Sequence, residues 1–161
     1  VKEEGAEVDK VVLDDLVFSG CTSCDGCRDG VRCVLDDDLR EVCALIERAD
    51  AIILASPMYF EGLSSQLKAL IDRGQVFWYR KYSLGLEQKK RRGAIIAVGA
   101  RRNADFDSAL RPAKIWLLTL DADMTSLTFG GFEEKGSILD DEDALEEARS
   151  LGRSLVKRNI H

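Results

Sequence analysis

Two short, almost wholly apolar runs, AIILAS at 51–56 and GAIIAVGA at 93–100, constrain this chain more than any other feature. Runs of this length suit strands covered on both sides, as in a parallel sheet packed between helices. The stretch between them, SSQLKALIDRGQVFW, places Leu67, Leu70 and Ile71 at helical spacing, so a helix crosses over from one run to the other. The alternation continues in both directions. VDKVVLDDLVF (8–18) mixes β-branched residues with acids and predicts a strand. DDDLREVCALIERAD predicts a helix with Leu39, Val42, Cys43 and Ile46 inward, capped by Asp36 to Asp38. YRKYSLGLEQKKRRG has the polarity of a loop. After the second apolar run come a helix around FDSALRPAKIWLLTLD, with Pro112 in its first turn or at a kink, and a strand in ADMTSLTFGG (122–131). The terminal helix, SILDDEDALEEARSLGRSLVKRN, starts acidic and ends basic, as the helix dipole favours. The order predicts one α/β domain over 1–161, a doubly wound parallel sheet with helices on both faces. In such sheets ligands bind at the carboxyl edge of the strands. The three loops that follow strands, the cysteine loop at 20–34, SPMYFEGLS and GARRNAD, are expected to gather there.

Charge and hydropathy exclude other classes. A net charge of −6 over 161 residues argues against a nucleic-acid surface. The longest apolar runs fall far short of the ~20 residues of a membrane span, and no signal segment opens the chain, so a cytoplasmic setting is expected. The KKRR run at 89–92 reads as a solvated loop before a strand, with docking of an acidic ferredoxin as the alternative. His161, the single histidine, reads as a frayed terminus or tag remnant rather than a ligand.

The segment GCTSCDGCRDGVRC places four of the five cysteines within residues 20–33, and the loop at 20–34 is the candidate cluster loop. Cys21, Cys24, Cys27 and Cys33 follow the pattern C-x2-C-x2-C-x5-C. A disulfide framework fits least, since a chain this long needs no staple and the setting is reducing. Zinc is the second reading, although its ligands usually come as two separated C-x2-C pairs. The continuous C-x2-C-x2-C run favours an iron-sulfur cluster, as in bacterial ferredoxins. Gly20, Gly26 and Gly30 would allow a tight wrap. Cys43 lies on the apolar helix face and reads as a small buried hydrophobe.

The turn SPMYFEGLS offers Pro57, Met58, Tyr59 and Phe60 beside Gly62, an apolar and aromatic surface that could edge a flat cofactor or serve only as packing. Taken together, the cysteine motif, ADAIILASPMYFEGLSSQLKALIDR, GAIIAVGARR and the closing helix resemble the iron-sulfur flavoproteins of the NADPH-dependent FMN reductase group. The resemblance spans essentially the whole chain. It implies a flavodoxin-like fold, FMN and a 4Fe-4S cluster as cofactors, and a homodimer or homotetramer. It also implies that Ser56, Pro57, Met58, Tyr59, Phe60 and Gly62 hold the isoalloxazine, with Gly99, Ala100 and Arg101 in the second flavin-side loop. That loop departs from the family pattern at Ala100 and at Asn103 to Asp105, where glycines are usual. Arg101 would bring positive charge near the flavin; a solvated or subunit-contact role is the alternative.

The largest departure is at the front, where VKEEGAEV reads as the end of a helix with Gly5 as its C-cap. The first strand and the Ser/Gly-rich phosphate loop of the family have no counterpart, and a missing N-terminal segment of about 20–30 residues is the expectation, most of a βαβ unit. In the order 2-1-3-4-5 that strand would lie between 8–18 and 51–56.

The function expected is electron transfer between a 4Fe-4S cluster and FMN, with ferredoxin or NAD(P)H as donor, the two groups lying about 10 Å apart if two strand spacings separate their loops. No catalytic residue is assigned, because the redox chemistry belongs to the cofactors. The alternatives are an NAD(P)H-dependent FMN or quinone reductase with structural zinc, and a metal-bearing interaction module without flavin.

Overall fold

Where the apolar runs were read, the computed structural model, which describes residues 1–156, has strands. They are β1 (Ala51–Tyr59) and β3 (Arg91–Gly99), with β4 (Ala122–Gly130) beyond them and a two-residue β2 (Gly62–Leu63) folded back on the end of β1. Sheet order is β2-β1-β3-β4; β1, β3 and β4 run parallel, Ile52 opposite Gly93 and Ile95 opposite Ser126. The helices are α1 (Leu39–Arg48), α2 (Ser65–Arg73), α3 (Gln75–Trp78), α4 (Asp107–Thr119) and α5 (Glu142–Val156). His161 lies outside the described residues.

One face of the sheet carries most of the core. Ile52, Leu54 and Ile95 meet Leu39, Val42 and Ile46 of α1, Leu67 and Leu70 of α2, Val76 and Phe77 of α3, and Trp116 and Leu117 of α4. The other face is smaller: Ala94 packs with Leu151 and Leu155 of α5. Cover on both sides therefore holds for β3, where Ala94 and Ile95 are both fully buried, but not for β1. Burial along β1 alternates, and Ile53 stays 42% exposed, because α5 packs on β3 and β4.

Residues 8–18 do not form the predicted strand. They run without ladder pairing, with a single 3-10 turn at Leu13–Asp15, and Val8, Val11, Val12 and Val17 are exposed. Strand propensity needs a partner edge to be realised, and no strand lies beside this segment among the described residues. Instead Leu13, Leu16 and Phe18, half-buried, pack against the main core. The short turn Lys2–Glu4 ends at Gly5 in the left-handed region (φ 79°), the C-cap read from the sequence.

The helix read over 65–78 is broken at Gly74. A Cβ there would lie 2.0 Å from Trp116 Nε1, so close approach of α4 requires glycine. The chain then continues from α3 through a π-turn at Tyr79–Ser83, inside the stretch expected to be loop. Pro112 lies in the second turn of α4 rather than the first.

Of the KKRR run, Lys89 and Lys90 are an exposed loop as read, but the two arginines are not. Arg91 begins β3 buried and donates to the carbonyls of Lys89, Leu120 and Glu47, while Arg92 donates to those of Ser154 and Leu155. Carbonyls left over at the ends of α1, α4 and α5 need donors, and these two arginines supply them.

Candidate functional site

The cysteine segment lies lengthwise on α2. Gln66 Nε2 donates to Asp14 Oδ1 at 3.1 Å, Gly20 lies beside Ala69, Arg73 Nη1 donates to the Ser19 carbonyl at 2.9 Å, and Tyr79 Oη donates to Asp25 at 3.3 Å. The chain is thereby carried from the start of α2 past its end. There Cys21, Cys24, Cys27 and Cys33 line one cavity of about 380 Å³, together with Asp72, Arg73 and Tyr79. All four are free thiols; Cys21 and Cys24 are exposed, Cys27 and Cys33 half-buried.

Local conformation follows from the short spacings. Ser23 (φ 56°), Asp25 (φ 59°) and Gly30 (φ 71°) occupy the left-handed region, so only one of the three loop glycines is used for that purpose. Gly26 is needed for a different reason: a Cβ there would meet Val34 Cγ1 at 2.7 Å. Arg80 pins the loop from below, donating to the carbonyls of Gly30 and Val31 and pairing with Glu47 at 2.6 Å. The thiols differ electrostatically. Hydrogen bonds from the Gly26 amide and the Thr22 side chain lower the Cys24 pKa, whereas burial, then the nearby Cys33, raises that of Cys27. Among the described residues no three His, Cys, Asp or Glu side chains close on a single ion.

Cys43 stands apart. It is half-buried on α1, its thiol pushed up to about 11 by burial, and it lines a neighbouring cavity of about 250 Å³ that shares Cys33 and Arg73.

Asp36 to Asp38, expected to cap α1, do something else. Asp38 Oδ2 accepts from Val17 N at 2.6 Å, and Asp37 accepts from Ser19 N at 3.4 Å while its carboxylate grips Arg73. Only the bond from Leu39 N to Asp37 Oδ1, 3.2 Å, resembles a cap. Arg73 closes the stretch ADAIILASPMYFEGLSSQLKALIDR but was given no role there, and Arg80 was not singled out. The signal for Arg73 was present in the spacing: Leu67, Leu70 and Arg73 fall three apart, which puts a charge on the buried side of α2.

The aromatic turn is a two-residue hairpin between β1 and β2, with Tyr59 opposite Gly62. Phe60 (φ 49°) and Glu61 (φ 60°) both have positive φ, the conformation of a type I′ turn, for which Asn-Gly is the usual sequence. Phe60 is fully exposed and Tyr59 is 61% exposed. Ser56 is buried; its hydroxyl donates to the Pro57 carbonyl at 2.7 Å and accepts from Ser64 N at 3.0 Å, closing the hairpin onto α2. The second loop meets the first, because a Cβ at Gly99 would touch Met58 Cε at 3.1 Å and Phe106 at 3.3 Å. Ala100 and Arg101 are exposed, and Arg101 has no side-chain partner among the described residues.

The two constellations thus do not share one sheet edge as expected. The hairpin adjoins the N-terminus of α2 and the cysteines its C-terminus, so nine helical residues separate them, about 13 Å at a rise of ~1.5 Å per residue. The unpaired run of the 8–18 segment along α2 is the reason.

Residues 1–124 match the profile of the family described as NADPH-dependent FMN reductase. The chain belongs to that family. Its members are flavin-dependent oxidoreductases. A protein named iron-sulfur flavoprotein from Methanocaldococcus jannaschii is 32% identical over 166 residues, covering 98% of this chain and 83% of that protein. Another of that name from Methanosarcina thermophila is 34% identical over 116 residues, covering 72% of this chain but 59% of its own length. Among solved structures, a flavone reductase superposes with a TM-score of 0.65 at 20% identity, over 96% of this FMN reductase family chain and 52% of its own, which establishes the flavodoxin-like fold.

Proposed function

We propose that this member of the family is an iron-sulfur flavoprotein, an oxidoreductase that passes electrons between a 4Fe-4S cluster and FMN, with ferredoxin or NAD(P)H as donor. The observation that carries the reading is the convergence of Cys21, Cys24, Cys27 and Cys33, spaced as in ferredoxins, on one cavity. The names of the two curated relatives support it. The donor set fits a cluster: four free thiols on one cavity, a loop turned tightly by left-handed residues at Ser23 and Asp25, and a buried cation lining the same cavity.

For FMN the same reading uses the apolar rim of Pro57, Met58, Tyr59, Phe60 and Gly62, adjoining Gly99, Ala100 and Arg101. Flavin takes electrons in pairs or singly and a cluster singly, so one chain bearing both converts between the two kinds of carrier. The residues here bind and orient; none needs to move a proton. The length of α2 would lie between the two groups, and a homodimer or homotetramer belongs to this reading. A reducing cytoplasmic setting is part of it too, consistent with five unpaired cysteines. No described helix is long and apolar enough to cross a membrane.

An anaerobic titration of the full-length, FMN-supplemented protein tests the function. Stoichiometric NADPH or reduced ferredoxin is expected to bleach both the flavin and the cluster absorption. Bleaching of the flavin alone with either donor contradicts transfer between the two groups.

A further inference from the structure

The side chain of Arg73 is 2% exposed and lines the cysteine cavity, so a fixed positive charge stands behind the four thiols. Its fork is almost fully committed. Nη1 donates to Asp37 Oδ2 at 2.6 Å and to the Ser19 carbonyl at 2.9 Å; Nη2 donates to Asp37 Oδ1 at 3.0 Å and to the Leu35 carbonyl at 3.5 Å. The Nε hydrogen, equally buried, has no partner among the described residues. The Asp37 carboxylate, held by both terminal nitrogens, is the counter-charge of this guanidinium. If support of the fold were the whole role, an apolar side chain following Leu67 and Leu70 would serve at lower desolvation cost.

We propose that Arg73, held by Asp37, tunes the cluster site: its fixed charge beside the four thiols raises the cluster's reduction potential. The inference rests on the cluster reading given above. Reduction adds one electron, hence one negative charge, to the cluster, and a nearby buried cation stabilises that charge far more than it would in water. Asp37 offsets part of the effect. Removing the cation and removing its counter-charge must therefore shift the potential in opposite directions, which a purely structural staple would not do.

The test compares wild type, R73Q, R73K and D37N as full-length proteins purified anaerobically, with iron and sulfide counted and the cluster potential read by an EPR-monitored titration. The expected result is a reduced-to-oxidised ratio at fixed potential that falls at least tenfold in R73Q, about 59 mV for a one-electron couple, rises in D37N, and stays within threefold in R73K. Wild-type potentials in both R73Q and D37N at full iron content overturn the proposal. Should R73Q fail to accumulate folded, D37N decides: a raised potential supports the proposal and an unchanged or lowered one overturns it. A wild-type protein without iron and sulfide would instead sink the cluster reading, and this inference with it.

Discussion

Arg73 and Asp37 also set a stability at the scale of single residues. Unlike the exposed pairs such as Arg28 with Asp25, which contribute little, this pair is 2% and 15% exposed and joins α1, α2 and the cysteine segment. Loss of one partner from a buried pair costs roughly 3 kcal/mol. Burial pushes the Asp37 pKa up, but hydrogen bonds from Arg73 and Ser19 outweigh it and the net direction is down. A carboxylate with a lowered folded pKa contributes stability above its unfolded value, about 3.9, and loses it as pH falls through the folded one. The gap in thermal stability between wild type and D37N is therefore expected to be constant above about pH 5 and to shrink below about pH 4; a gap that widens on acidification contradicts the assignment. That Cys21, Cys24, Cys27 and Cys33 would come together was legible because so few residues separate them, and they line one cavity. Cys43 was read as a small buried hydrophobe; it does sit on the apolar face of α1, but half-buried, at the wall of a cavity. Asp37 was not legible, since its acidic neighbours and helix-start position suit a cap equally well, and only the tertiary partner decides.

At the scale of elements, the hairpin at 59–62 carries local strain in the place proposed for flavin contact. Two side-chain-bearing residues in the left-handed region cost roughly 1–2 kcal/mol each, and Phe60 recovers little by burial, being fully exposed. Replacing Phe60 and Glu61 by Asn and Gly should stabilise the protein by about 1–2 kcal/mol in thermal or denaturant unfolding. The same double variant is expected to bind FMN at least tenfold more weakly by fluorescence quenching; unchanged affinity would remove the aromatic tip from the flavin site. The main helices were readable from their period and the two central strands from their unbroken apolar runs, whereas the break at Gly74 and the helical turn at Tyr79–Ser83 were not. The 8–18 segment was not, because β-branched residues predict a strand only where an edge is available to pair with. KKRR misled for the opposite reason: four charges look solvated in sequence, whereas Arg91 and Arg92 answer orphan carbonyls at helix ends that no linear pattern reveals.

For the whole molecule, alternation of runs was enough to give a parallel sheet with helices on both faces, and the flavodoxin-like order placed its strands side by side. It was not enough to say where the cysteine loop would lie. Loops that follow strands share an edge only if those strands join the sheet, and the path of residues 14–25 along α2 takes the cysteines to the other end of that helix. The account's central claim, that these four thiolates hold a 4Fe-4S cluster, is tested most directly by counting metals in anaerobically purified protein. Four iron atoms and four acid-labile sulfides per chain are predicted, about the content of one cubane cluster. One zinc per chain without iron or sulfide would contradict it.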